Sequence, residues 1–233
     1  MNLDFTGRPA FITGGTNGIG FACATQLARS GARVTLFDRE PNTAEIAATL
    51  PGSARGITGD VRDSAAIQAA LATDPPAVVV INAGTVIPSP FLQSREEDWL
   101  RTLEINLTGA WRTLHAAATL MVERRMPGAI VVTASTNSFD GEADLTAYNA
   151  SKSGLLGLIR TTANELGPHG IRVNAVCPGL IRTRLTETHF SNPSILMDYF
   201  RDIPLGRGGD PTEVAGAVAF LASDAALHRA RRT

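Results

Sequence analysis

Pro9-Ala10-Phe11-Ile12-Thr13-Gly14-Gly15-Thr16-Asn17-Gly18-Ile19-Gly20 is the stretch that decides the fold. Pro9–Thr13 is a short apolar run of strand length, and Ile19–Arg29 continues as a helix that Gly31 ends. Across this junction Gly14, Gly18 and Gly20 keep the spacing GxxxGxG. Gly14 permits a tight turn, Gly18 lets backbone approach a pyrophosphate, and Gly20 lets helix and strand pack closely. A helix beginning there offers free N–H groups and a positive dipole end to phosphates. Thr16, Asn17 and Ile19 complete this candidate phosphate loop. A plain strand-to-helix turn would also use such glycines, so context has to decide.

Working outward, the next strand, Arg33–Phe37, runs into Asp38, eighteen residues after Gly20. A carboxylate at that place accepts hydrogen bonds from the hydroxyls of an adenosine ribose and repels a 2′-phosphate, which favours NAD over NADP. Arg39 follows directly and is placed to meet a 2′-phosphate, while Asp38-Arg39-Glu40-Pro41 would also serve as a simple polar turn. The pattern then repeats. Strands are predicted at Ala54–Thr58, Ala77–Ile81, Ala129–Thr133 and Arg172–Val176. Helices are predicted at Ala44–Leu50, Ala65–Ala72, Glu96–Arg125, Ala147–Leu166, Pro193–Arg201 and Pro211–Ala222. In the long helix Trp99, Leu103, Leu107, Ala110, Trp111 and Leu114 keep a 3.6-residue period. Ala77–Ile81 is apolar on both faces, as a central parallel strand is. Strands alternating with helices give an α/β fold with a doubly wound, mostly parallel sheet. At 233 residues one domain is the natural count, spanning 1–233. The loops Pro88–Pro90 and Thr183–Pro193 are the best placed to move over a ligand.

The bulk properties exclude several classes. The net charge of −1 gives no electrostatic case for nucleic acid or an anionic membrane. The apolar runs are too short to span a bilayer, and no signal peptide is visible. Cys23 and Cys177 read as free thiols of a reducing cytoplasm, and no spacing suits a metal. Of the twenty-one cationic Lys and Arg side chains only Lys152 is a lysine, four residues after Tyr148, one of two tyrosines. On a helix that spacing puts both side chains on one face. A compact ammonium tunes a neighbouring pKa or grips paired hydroxyls in ways a guanidinium does not.

Together these residues resemble the short-chain dehydrogenase/reductase family over nearly the whole chain, Gly7 to about Ala225. Thr13–Gly20 matches its TGxxxGxG. Gly59-Asp60-Val61 matches the acidic segment that touches adenine, and Ile81-Asn82-Ala83-Gly84 matches its NNAG with isoleucine in first place. Asn106, Ser135, the Tyr148–Lys152 YxxxK and Pro178-Gly179-Leu180-Ile181-Arg182-Thr183 follow in the family's order. The resemblance implies a Rossmann fold that moves a hydride between NAD(H) and a secondary alcohol or ketone. Tyr148 is then the acid/base, and Lys152 the cation that lowers its pKa and holds the nicotinamide ribose. Ser135 stabilises the substrate oxygen, and Asn106 holds a water leading from Lys152 to solvent. Gly14, Thr16, Asn17, Gly18, Ile19 and Gly20 of the loop, with Asp38, Asp60, Val61, Asn82, Ala83, Gly84, Tyr148, Lys152, Pro178, Gly179, Ile181 and Thr183, then form the cofactor site.

The loop 136–147 carries Asp140, Glu142, Asp144 and Asn137 beside this site, which points to a sugar or polyol substrate; the same acids would also suit a solvent-facing loop. After Asp224 the chain reads Ala225-Ala226-Leu227-His228-Arg229-Ala230-Arg231-Arg232-Thr233, a basic tail where the family has a seventh strand. Six strands are therefore expected. Relatives pair through the two long helices and through the seventh-strand region, so a homodimer is expected in preference to a tetramer. The rival functions are a catalytically impaired dinucleotide-binding scaffold or sensor, and a lyase or isomerase on the same fold.

Overall fold

The computed structural model describes residues 3–226. Six parallel strands form one sheet in the order β3-β2-β1-β4-β5-β6. They are β1 Pro9–Thr13, β2 Arg33–Asp38, β3 Ala54–Thr58, β4 Val78–Ile81, β5 Gly128–Thr133 and β6 Ile171–Val176. The helices are α1 Gly18–Arg29, α2 Thr43–Ala48, α3 Ser64–Thr73, α4 Glu96–Leu103, α5 Gly109–Glu123, α6 Thr146–Leu166, α7 Glu187–Phe190, α8 Pro193–Asp202 and α9 Pro211–Ala222. The tail residues 227–233, where the seventh strand was expected to be missing, lie outside the described residues.

Strand order reverses between β1 and β4, whose register runs Ala10↔Val78 to Thr13↔Ile81. Crossovers leave this point in opposite directions, so a crevice opens at the carboxyl ends of the two strands. One face of the sheet is closed by α1 and α9, through Leu27, Val34, Val80, Val131 and Val218. The other face is closed by α3, α5 and α6, through Ile67, Leu71, Leu114, Met121, Ile130 and Leu155. β4 and β5 are buried along their whole length, which explains their unbroken apolar runs.

Two details depart from the sequence pattern. The long helix expected over Glu96–Arg125 is not continuous: Glu104–Thr108 form a π-helical turn between α4 and α5. One residue is inserted into the ladder there, and the apolar period does not register it. Its central residue, Asn106, is buried. The second departure concerns β6, where Arg172 lies buried against the end of α9. Its guanidinium donates to the carbonyls of Leu221 (2.5 Å), Ala222 (3.1 Å) and Ser223 (2.9 Å). A cation is thus placed on the negative end of the helix dipole, where orphan carbonyls need donors. No helix among the described residues is long and apolar enough to cross a membrane.

Candidate active site

The glycine loop is shaped by contacts that no side chain could share. Gly14 has φ +64°, and a Cβ on it would lie 2.8 Å from the Ala83 Cα. A Cβ on Gly20 would sit 2.0 Å from the Gly14 carbonyl oxygen. Asn82 fixes the same turn, donating through Nδ2 to the Gly14 carbonyl at 3.0 Å, and its backbone N–H meets Thr13 Oγ1 at 3.1 Å. The strand end and the loop are therefore one rigid piece. Asn17 precedes α1 without capping it by its side chain, so the first N–H groups of the helix remain free for an anion.

Asp38 closes the far end. Its Oδ2 accepts from the Thr16 backbone N–H (3.1 Å) and from Thr16 Oγ1 (2.7 Å). Among the described residues its other oxygen makes no side-chain hydrogen bond. Asp60 is held by Arg62 through two guanidinium bonds of 3.0 and 2.7 Å, and that hydrogen-bonded cation keeps its carboxyl below the ordinary range.

A cavity of about 450 Å³ runs from this end to the carboxyl ends of β4, β5 and β6. Gly14, Asn17, Gly18, Ile19, Asp38, Asp60, Val61, Asn82, Ala83 and Gly84 line it, with Ser135, Tyr148, Lys152, Pro178, Gly179, Ile181 and Thr183 at the other end. Three of the residues picked from sequence stand behind the wall. Thr16 faces Asp38, Gly20 packs on the loop, and Asn106 braces the structure from beneath. Sequence reasoning overlooked Phe37, Thr85, Ile105, Thr133, Leu185 and Thr186, which also line the cavity. Thr85 immediately follows the NNAG-like segment and Thr133 ends β5, so both stood next to recognised motifs.

At the reacting end, Tyr148 and Ser135 line the cavity together. Lys152 is buried on the same face of α6, its Nζ 5.6 Å from the Tyr148 ring centroid. That Nζ donates to the Thr133 carbonyl at 2.8 Å, which leaves two N–H groups to give. Burial pulls the ammonium down to about 8, and the neighbouring Cys177 works slightly against this. Burial also pushes the Tyr148 phenol up, opposed by the Ser135 hydroxyl and reinforced by the Glu142 charge. Burial is the largest of these influences, so the phenol lies above its ordinary value in the protein alone.

Asn106 is buried and fully engaged with its neighbours. Its Oδ1 accepts from the Thr85 N–H at 2.7 Å, and its Nδ2 donates to the Thr85 carbonyl (2.9 Å) and to Ser151 Oγ (3.1 Å). Both amide hydrogens are used, so the side chain clamps the Thr85 loop to α6.

The residues fit a nicotinamide dinucleotide on several counts. The loop leaves no room for a Cβ, the start of α1 has unclaimed donors, and Lys152 keeps two donors at the opposite end. The buried Thr133 Oγ1 is without a partner at the same place.

The comparisons agree. Residues 14–228 match the family model described as enoyl-(acyl carrier protein) reductase. The L-rhamnose 1-dehydrogenase (NAD(P)(+)) of Azotobacter vinelandii is 37% identical, the match covering 95% of this chain and 91% of that protein. The human (3R)-3-hydroxyacyl-CoA dehydrogenase is 36% identical over 92% of this chain and 88% of its own. A solved structure from Beutenbergia cavernae, described as an NAD(P)-dependent gluconate 5-dehydrogenase with bound NADP, is 34% identical. It superposes with a TM-score of 0.93 over 97% of this chain and 93% of that one. The chain belongs to the short-chain dehydrogenase/reductase family. It is an NAD(P)-dependent oxidoreductase acting on CH–OH groups.

Proposed function

We propose that this enzyme interconverts a small hydroxylated secondary alcohol, a sugar or polyol, with its ketone, using NAD in preference to NADP. The observation that carries the reading is the cavity that joins Asp38 at one end to Ser135, Tyr148 and Lys152 at the other.

When bound, the dinucleotide supplies the hydride acceptor and, in its oxidised form, a positive charge near Tyr148. The chain supplies the rest. Tyr148 takes the proton from the substrate hydroxyl during oxidation and returns it during reduction. Ser135 donates to the same oxygen as charge develops on it. Lys152 holds the ribose with its two remaining N–H groups, which fixes the reacting face. Asn106 is a positioning residue that keeps Thr85 and Ser151 in register behind Lys152. The backbone around Ile181 and Thr183 holds the carboxamide, Asn17 to Ile19 take the pyrophosphate, and Gly59-Asp60-Val61 border the adenine. Asp38 accepts from the ribose hydroxyls through its free oxygen and repels a 2′-phosphate there. Arg39 is exposed and makes no ion pair among the described residues, so it is the group available to a 2′-phosphate. The binding-scaffold reading has no use for Ser135, Tyr148, Lys152 and Asn106 together.

A polar substrate is supported by Asn137, Glu142 and Asn149 gathered beside Tyr148, and by the sugar-oxidising names of two similar proteins. Asp140 and Asp144 are exposed, so of the three loop carboxylates Glu142 alone turns inward. We further propose one domain acting in the reducing cytoplasm as a homodimer. The dimer would pair α5 and α6, where Trp111, 47% exposed, stacks on His115 above an apolar groove. Light scattering showing only monomer would remove the dimer.

Substrate class is tested with a panel of polyols, sugars, steroids and acyl thioesters, read by nicotinamide absorbance in wild type and Lys152→Arg. We expect turnover of hydroxylated substrates and its near-complete loss in the variant. Turnover confined to apolar substrates would overturn the substrate reading.

A further inference from the structure

The second tyrosine of the chain points at the same site as the first. Tyr199 lies on α8, in the segment that follows Thr183, and its hydroxyl donates to Glu142 Oε1. Glu142 Oε2 accepts from Asn137 Nδ2 at 3.0 Å. Asn137 Oδ1 accepts from Ser135 Oγ at 3.2 Å, and Ser135 lines the cavity beside Tyr148. Asn149, the residue after Tyr148, ties the loop down from the other side. Its Oδ1 accepts from Asn137 Nδ2 at 2.8 Å, and its Nδ2 donates to the Glu142 carbonyl at 2.8 Å. One hydrogen-bonded chain thus runs Ser135–Asn137–Glu142–Tyr199, from a serine that lines the cavity with Tyr148 to a helix fifty-seven residues away from Glu142 in sequence.

We propose that Glu142 is a positioning residue that couples seating of α8 to the orientation of Ser135 and Tyr148. This rests on the assignment of Tyr148 as acid/base. With Tyr199 in place, the Glu142 carboxylate is neutralised by two donors and holds Asn137 with its carbonyl toward Ser135. The serine oxygen is then held between the Asn137 N–H (3.2 Å) and Asn137 Oδ1, and its hydroxyl turns to the substrate oxygen when one is bound. With Tyr199 withdrawn, the carboxylate loses a donor and its charge bears more strongly on the Tyr148 phenol. The segment from Thr183 therefore does more than cover the cavity, because its position is read at the reacting oxygen. At its near end Arg184 pairs with Glu40 at 3.0 Å, which ties the same segment to the loop after β2.

The charged and titratable groups around Tyr148 are Lys152 on its own helix, Glu142 on the preceding loop and Cys177 after β6. On the covering segment His189 meets the Tyr199 ring edge-on at 5.4 Å. All of these remain in the variants Glu142→Gln and Tyr199→Phe except the group replaced. The experiment is the pH profile of kcat/KM for alcohol oxidation, with KM for NAD and thermal stability measured in parallel.

Glu142→Gln keeps an acceptor for Tyr199 and removes the charge. We expect its rising limb about half to one pH unit lower. Tyr199→Phe leaves the carboxylate less compensated, and we expect a limb shifted upward and kcat/KM lowered about tenfold. KM for NAD and thermal stability should stay near wild type in both. Limbs unmoved in both variants, with wild-type kcat/KM in Tyr199→Phe, would overturn the proposal. If Tyr148→Phe is inactive in the same assay, the assignment of Tyr148 stands and the coupling alone fails. If Tyr148→Phe is fully active, the assignment itself has failed.

Discussion

Replacing Lys152 by methionine should stabilise the fold at neutral pH while abolishing turnover. The ammonium is buried and has one carbonyl partner, Thr133, and no carboxylate. Burial brings it from 10.5 to about 8, a difference worth about 3 kcal/mol at 1.36 kcal/mol per unit. The sign follows from proton binding. Between pH 8 and 10.5 the unfolded lysine keeps its proton and the folded one has lost it. Stability of the wild type therefore rises with pH through this window, and below pH 8 the full cost is present. Methionine removes that cost and forfeits the Thr133 bond, worth about 1 kcal/mol. The variant should be more stable by about 2 kcal/mol at pH 7, which is a Tm rise of roughly 4–8 °C for a chain of this size. At pH 10.5 the advantage should vanish or reverse. Urea unfolding of both proteins at the two pH values, with m-values compared, reads this directly. A stability difference independent of pH, or a methionine variant weaker at pH 7, would refute the reasoning that the site holds its cation against the preference of the fold.

Other substitutions test separate parts. In Gly20→Ala the new Cβ meets the Gly14 carbonyl at 2.0 Å, so we expect a loss of about 1–3 kcal/mol in denaturant unfolding and weak dinucleotide binding by fluorescence titration. Asp38→Ala should lower the NAD-to-NADP ratio of kcat/KM by about tenfold or more, as a repulsive element is removed; an unchanged ratio would place discrimination elsewhere. Arg172→Ala strips three carbonyls at the end of α9 of their donor and should cost about 2–4 kcal/mol in urea unfolding.

Much of this was legible because its determinants are local. The glycines of Gly14–Gly20, Asp38 at a strand end, and Tyr148 one helical turn before Lys152 each carry their meaning within a few residues. The central strands β4 and β5 followed from short apolar runs, which a buried parallel sheet requires. What could not be read depends on contacts between distant segments or on one inserted residue. The π turn at Asn106 leaves the apolar period of the long helix almost unchanged. The choice of Thr133 by the Lys152 amine, and the burial that lifts the Tyr148 phenol, depend on how β5 meets α6. Three carboxylates in one loop looked alike in sequence. Only the packing of α8 shows that Glu142 turns toward Tyr199 while Asp140 and Asp144 face solvent.

The most direct test is the rate of NAD reduction with a hydroxylated substrate in wild type and Tyr148→Phe, with cofactor affinity measured on the same proteins. We expect kcat to fall about 10²–10⁴-fold while NAD still binds, since the phenol hydroxyl moves the proton and the cavity is otherwise intact. Turnover in Tyr148→Phe at the wild-type rate would contradict the assignment of Tyr148 as the acid/base.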